Sequence, residues 1–208
     1  MRRCGTVVFV ALMLFSMACR REFTVREADP LEYAADGITL SIHMLSNREI
    51  QRSIRDASVE VDDLPPQPPY VSILAYEIRF DREGDAVIAH PGEASFEYHR
   101  PDMEARAFSK ESFMRSFPPG FYGSRPYALF FDVTIHSDEA SSFVADDPAR
   151  FSLHAGQHAS GYFVIPAVPV TVTNIRSSVP LDIFTGRSKT PDRQALNTDM
   201  TLRMFEPL

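Results

Sequence analysis

The chain has 208 residues, 28 acidic against 21 basic side chains, a net charge of −7, two cysteines and no tryptophan. With no block rich in Lys or Arg, it lacks the electrostatic footprint that neutralising phosphates requires, so nucleic acid is not an expected partner. The thiols are Cys4 and Cys19, and Cys4 lies in the amino-terminal apolar run. The body must therefore be held by its hydrophobic core and not by internal disulfides, which also excludes catalytic cysteines and thiolate metal sites there.

Arg2 and Arg3 precede the apolar run Thr6 to Met17, and Ser16-Met17-Ala18 leads into Cys19, followed at once by Arg20, Arg21 and Glu22. A membrane-spanning helix needs about 20 apolar residues, so this shorter run reads as the core of an export signal. The stretch resembles a bacterial lipoprotein signal, with Ala18-Cys19 as the end of a lipobox. Ser16 stands where that family usually has Leu, and Met17 where it usually has Ala or Ser. The resemblance implies acylation of Cys19, cleavage just before it, and a 190-residue protein held at a bacterial membrane, facing the periplasm or the surface. Loss of Arg2 and Arg3 would take its net charge from −7 to −9. Ser16-Met17-Ala18 equally satisfies the small-x-small rule of ordinary signal peptidase, which cuts the same bond and leaves Cys19 unmodified. An uncleaved anchor is the third alternative.

Residues 19–36 carry mixed charge with little periodicity and read as a tether. From Gly37, Ile38, Leu40, Ile42 and Met44 alternate with polar neighbours, the mark of a half-buried strand. Ile50 and Ile54, four apart behind an Asn47 cap, suit a short helix to Asp56, with a continuing irregular strand as the competing reading. Pro65-Pro66-Gln67-Pro68-Pro69 favours extended polyproline conformation, as a rigid connector or an edge. The β-branched and aromatic run from Tyr70 to Phe80, the Gly and acids of 81–85, and Ala86 to Ala89 predict a hairpin. Ser95 to His99 is a short strand, and Ser109 caps a two-turn helix stopped by Pro118-Pro119-Gly120. Strands are then predicted over 127–136, 149–154, 160–165, 168–174, 179–184 and 200–205.

Many short strands, frequent Pro and Gly, and no βαβ alternation define a mainly β protein: an antiparallel β-sandwich over 37–208 with one or two short helices and a possible subdivision near 100–126. The layout resembles the immunoglobulin-like domains of exported lipoproteins, without their Cys and Trp markers.

Chemistry is sparse. His154 and His158 are four apart, a spacing that would aim two imidazoles at one metal on a helix, but Gly156 between two strand-like runs predicts a turn. His158-Ala159-Ser160-Gly161 lacks the first glycine of a nucleophile elbow. Asp81, Glu83 and Asp85 around Gly84 lack the closing Glu of an EF-hand. Asp138-Glu139 and Asp146-Asp147 read as solvated loop charges. No phosphate loop or dinucleotide fingerprint is present, and no cofactor is expected.

The most unusual surface candidate is the Pro/Gly-rich loop 117–127, with Phe117, Phe121, Tyr122 and Tyr127 as binding residues for a protein or glycan partner. The competing reading folds Phe117, Phe121 and Tyr127 back onto the core as a lid. The functional expectation is a lipid-anchored envelope protein that works by binding, scaffolding or assisting assembly. The alternative is an envelope hydrolase or metal-dependent enzyme using His154 and His158 or a carboxylate pair.

Overall fold

The computed structural model describes residues 24–26, 31–57, 71–83, 85–99, 102–117, 125–137, 141–169, 171–186 and 188–205. Cys19, the signal and the proline run at 65–69 lie outside them.

In chain order the first elements are β1 (Thr24–Arg26), β2 (Leu31–Ala35), β3 (Ile38–Met44), helix α1 (Asn47–Asp56), β4 (Val71–Phe80) and β5 (Ala86–Ala89). A 3-10 turn (Pro91–Glu93), β6 (Ser95–His99), β7 (Met103–Arg106), helix α2 (Lys110–Ser116) and a 3-10 segment (Arg125–Phe131) follow. The remainder is β8 (Thr134–His136), β9 (Ser142–Val144), β10 (Phe151–His154), β11 (Gln157–Pro166), β12 (Asn174–Phe184), β13 (Asp192–Thr201) and β14 (Arg203–Phe205).

These strands form a β-sandwich. Sheet I has the order β2-β3-β4-β11-β8-β9, and sheet II the order β10-β5-β12-β6-β7, with β13 also paired to β12. Pairing is antiparallel throughout, including the small β1–β14 ribbon. Alternation decides which side chains meet between the sheets. Leu40, Ile42, Tyr76, Ile78, Phe80 and Phe163 of sheet I pack on Val87, Phe96, Leu153, Val179, Leu181 and Leu196 of sheet II. Phe96 meets Phe163 edge to face at 5.2 Å across the two layers.

A second core lies on the outer side of sheet I. Ile50 and Ile54 of α1, Phe113 of α2 and Tyr127, Phe130 and Phe131 cover Val71, Ile73 and Val164. The first half of β4 is therefore buried on both faces, whereas Glu77 and Arg79 in its second half are exposed. Among the described residues no helix is long and apolar enough to cross a membrane.

Several predicted elements change. β4 and β5 do not pair as a hairpin: Arg82 and Asp85, 3.2 Å apart, span a turn that carries the chain from sheet I to sheet II. β10 and β11 switch sheets in the same way through Gly156, whose φ of +79° favours glycine. Residues 125–131 are helical, not extended, because Tyr127, Phe130 and Phe131, spaced three and four apart, all enter the outer core. In 168–174 the Val172 N–H bonds the Pro169 carbonyl in a turn, so β12 begins only at Asn174. The α1 cap is Ser46, one residue before the predicted Asn47. β1 and β2 fall within the span read as a tether, and β2 pairs along its length with β3.

Four turns meet at one end of the sandwich. The Gly37 carbonyl accepts from Asp81 N–H at 2.8 Å, and the Phe80 carbonyl from Gly156 N–H at 2.8 Å. Asp85 Oδ1 accepts from Gly186 N–H at 2.8 Å.

Candidate functional site

A cleft lies towards the opposite end of the same strands. Register carries β8 along β11 only as far as Thr134 opposite Ser160. The next ladder step fails because the Asp132 N–H turns back to the Leu129 carbonyl. Further along β11 the Phe108 N–H bonds the Val164 carbonyl at 2.7 Å, so the chain leaving β7 docks on the same edge. Between these two attachments a cleft of about 490 Å³ opens beside Tyr162 and Phe163.

The walls are aromatic, from Tyr76, Phe108, Phe131, Tyr162 and Phe163. Lys110, Glu111, Asp132, Asp146 and Asp147 bring charge to the rim. Lys110 Nζ lies 3.8 Å from Asp132 Oδ1, and Asp147 Oδ1 accepts from Ala149 N–H at 2.9 Å, fixing the rim turn.

Tyr76 is the least ordinary of these residues. Its ring stacks on Phe163 with centroids 4.4 Å apart, and only 4 % of the residue is exposed. Its hydroxyl meets no hydrogen-bond partner among the described residues. Burial pushes its pKa above the ordinary tyrosine value. Tyr98, by contrast, donates its hydroxyl to the Pro166 carbonyl at 3.3 Å. A buried hydroxyl left without a partner costs about 1–3 kcal/mol, set here against the packing of the ring on Phe163.

The uncovered half of the outer face of sheet I carries a second group. Ser160 Oγ and His136 Nε2 are 3.1 Å apart, and His136 stacks on His158 at 4.6 Å with rings 14° from parallel. The His158 Nδ1 is buried without a partner among the described residues. A cleft of about 390 Å³ beside them is lined by His43, Glu77, Asp132, Thr134 and Ser160.

Of the binding residues named from sequence, Tyr127 is buried and Phe117 half-buried, both in the outer core, where Phe117 packs against Phe113 at 5.0 Å. Phe121 and Tyr122 lie outside the described residues. His154 is exposed on a third, shallow cleft with Phe143 and Arg150, while the ring of His158 turns to His136. Among the described residues no three His, Cys, Asp or Glu side chains gather around a common metal position. Two of the three 81–85 acids are engaged elsewhere, Asp81 facing Arg79 at 3.8 Å and Asp85 holding Arg82 and Gly186, and Glu83 is exposed.

Tyr76 and the Asp146-Asp147 pair were missed as site residues. Tyr76 sits in the apolar row Leu74, Tyr76, Ile78, Phe80 and carries no mark of its own. The available signal was Gly161, which interrupts the inward row Ala159, Gly161, Phe163 of β11 and so points to a close approach from another residue.

Fold and site together define an antiparallel two-sheet sandwich with an aromatic lateral cleft. The chain matches no protein-family model and no curated protein sequence.

Proposed function

We propose that this chain is an exported, lipid-anchored envelope protein, attached through Cys19, that acts by binding a ligand or partner in the lateral cleft. The signal-like residues 1–19 support the location. The observation that carries the activity is the cleft itself: a concavity of about 490 Å³ lined by aromatic residues, within the usual size of ligand pockets, with charged side chains at its rim. β2 runs from Leu31, at the level of Tyr76, towards the four-turn end. The membrane, through that lipid, and a protein or glycan are the proposed partners. Kinship with immunoglobulin-like lipoprotein domains belongs to the same proposal.

Two experiments test it. Replacing Cys19 with Ala should abolish fatty-acid labelling and release the protein to the soluble fraction; persistent labelling removes the anchor. A photo-crosslinking side chain at Ser109, on the cleft rim, should trap a ligand or partner in intact cells, whereas one at Asn197 on sheet II should not. Equal adducts from both positions would sink the cleft assignment.

A second reading, an envelope hydrolase, draws on the Ser160–His136 contact, which has the hydrogen-bonded geometry of a nucleophile and its base. His136 stacks on His158 and bonds no carboxylate among the described residues, so the third group that orients a catalytic base is not supplied there. Ester hydrolysis by the purified protein should stay at background and be unchanged by Ser160→Ala; a rate above background that is lost in Ser160→Ala would favour the hydrolase.

A further inference from the structure

We infer that β9 is an open docking edge for an extended segment of another polypeptide, one with basic residues on either side of an apolar, β-branched centre. The edge meets the lateral cleft only at Ala145, Asp146 and Asp147, so the inference does not rest on that cleft as a ligand site.

β9 closes one end of sheet I and pairs only with β8 among the described residues. The Ser137 N–H bonds the Ser141 carbonyl and the Ala145 N–H bonds the Val133 carbonyl, so positions 141, 143 and 145 turn their backbone groups to β8. By alternation the N–H and C=O of Ser142 and Val144 point away from the sheet, and no described residue bonds them. Phe143, 52 % exposed, lies on the side of the buried Ile135, over a groove of about 360 Å³ between β9 and β10. Val144, 61 % exposed, lies on the other face. The other edges of the two sheets are blunted. β2 carries Glu32, β7 carries Glu104 and Arg106, β13 carries Asp192, Arg193 and Asp199, and in β10 the His154 N–H is taken by Gln157 Oε1 at 2.9 Å. β9 itself carries no charge and offers two apolar side chains beside free backbone groups.

Charge selects the occupant. In the sequence Asp138-Glu139 precedes the strand and Asp146-Asp147 follows it, with Arg150 the one guanidinium on the groove. Basic residues flanking the centre of a guest strand are matched to these acids, and the groove beside Phe143 takes the guest's central apolar side chain. A second copy of this chain is not matched: antiparallel pairing about Phe143 sets Asp147 opposite Glu139 of the second copy, and like charges directly opposite are unfavourable.

The test uses the full chain in a neutral maltoside detergent and the fluorescein-labelled peptide Lys-Arg-Thr-Val-Ile-Val-Thr-Thr-Arg-Lys, followed by anisotropy and by amide exchange. The peptide should bind one to one and slow exchange of the Ser142 and Val144 amides at least about tenfold, with less change at Phe143, already bonded to β8. N-methylation of its two valines, which pair with Val144 and Ser142 in antiparallel register, should weaken it at least about fivefold. Glu in place of its Lys and Arg should weaken it at least about tenfold, a gap that narrows at high salt. Val144→Pro removes an outward N–H and leaves the bonds to β8, so it should abolish binding while the Ile135 amide stays protected. Asp146→Asn, at an exposed position, should weaken the basic peptide about threefold.

If the acidic-ended peptide binds as tightly as the basic one, the partner class is wrong. If neither slows the Ser142 and Val144 amides, the docking edge is overturned. If the chain dimerises in sedimentation and Val144→Pro abolishes the dimer, the occupant is a second copy and the inferred partner is wrong.

Discussion

The hydroxyl of Tyr76 lies 2.6 Å from the point where a β-carbon on Gly161 would stand, with the ring carbon Cζ at 2.8 Å. The two residues are register partners on β4 and β11, so a side chain at 161 would have to displace a ring stacked on Phe163. Gly161→Ala should cost about 1–3 kcal/mol through overpacking, read as a lower urea midpoint. Tyr76→Phe should instead raise stability by about 1 kcal/mol, because it removes a buried hydroxyl that bonds nothing among the described residues. A Tyr76→Phe protein less stable than wild type would mean that the hydroxyl has a partner.

Alkaline pH should unfold the sandwich early. Burial pushes the Tyr98 pKa up to about 12 and moves Tyr76 and Tyr127 above their ordinary value as well. A tyrosine whose folded pKa exceeds its unfolded pKa stabilises the fold in its protonated form. That contribution is complete below about pH 10 and is lost as pH rises towards 12. Urea midpoints measured from pH 8 to 12 should fall across this window, with a shallower fall in Tyr98→Phe. A flat profile would show that these tyrosines ionise freely in the folded state.

At the other end of the scale, α1 depends on a capping box. Burial of Glu49 raises its pKa, but hydrogen bonds from the Ser46 hydroxyl and backbone N–H, both 2.7 Å from Oε2, outweigh it and leave the net shift downward. A lowered carboxylate pKa gives stability that is present above the unfolded value near 4.5 and is lost as pH falls through the folded value. Ser46→Ala should cost about 1 kcal/mol at neutral pH and flatten the acid side of the stability profile. Its thermal midpoint between pH 3 and 7 is the measurement.

Sheet II contains a buried polar pair with its own prediction. His90, 6 % exposed, places Nε2 2.8 Å from Asp182 Oδ2, and Nδ1 lies 3.6 Å from Glu93. Asp182→Ala leaves the imidazole edge without this partner and should cost about 1–3 kcal/mol in chemical denaturation. Glu93→Ala, at an exposed position, should cost less than about 1 kcal/mol. Equal costs would place the weight on the surface contact instead.

Legibility in the sequence followed the patterns that local physics imposes. Alternation in Ile38 to Met44 and the capped stretch at 109–116 gave strand and helix because burial there is one-sided. Tyr127 to Phe131 misled because β-branching and aromatic content cannot separate a strand from a short helix whose aromatics all face one way. β13 was invisible before Met200: its inward row after Gln194 is Leu196, Thr198 and Met200, and the hydroxyl of Thr198 is satisfied inside by Ser177, a pairing no window reveals. The cleft was hidden for a related reason. Asp146 and Tyr76 are seventy positions apart and each looks ordinary; only the early end of the β8 ladder and the return of Phe108 to β11 bring them to one opening.

The four-turn end now acquires a dynamic meaning. There two crossings sew the layers together, and Gly37, Phe80, Asp85, Asp81, Gly156 and Gly186 tie neighbouring loops, so opening that end requires breaking bonds in several connections at once. The cleft lies towards the far ends of β5 and β10, where the sheets are also tied, by Phe108 N–H on the Val164 carbonyl and by the Tyr98 hydroxyl on the Pro166 carbonyl. The cleft is therefore a fixed notch in the side of the sandwich and not a seam that parts, and amides at both pinned ends should exchange slowly.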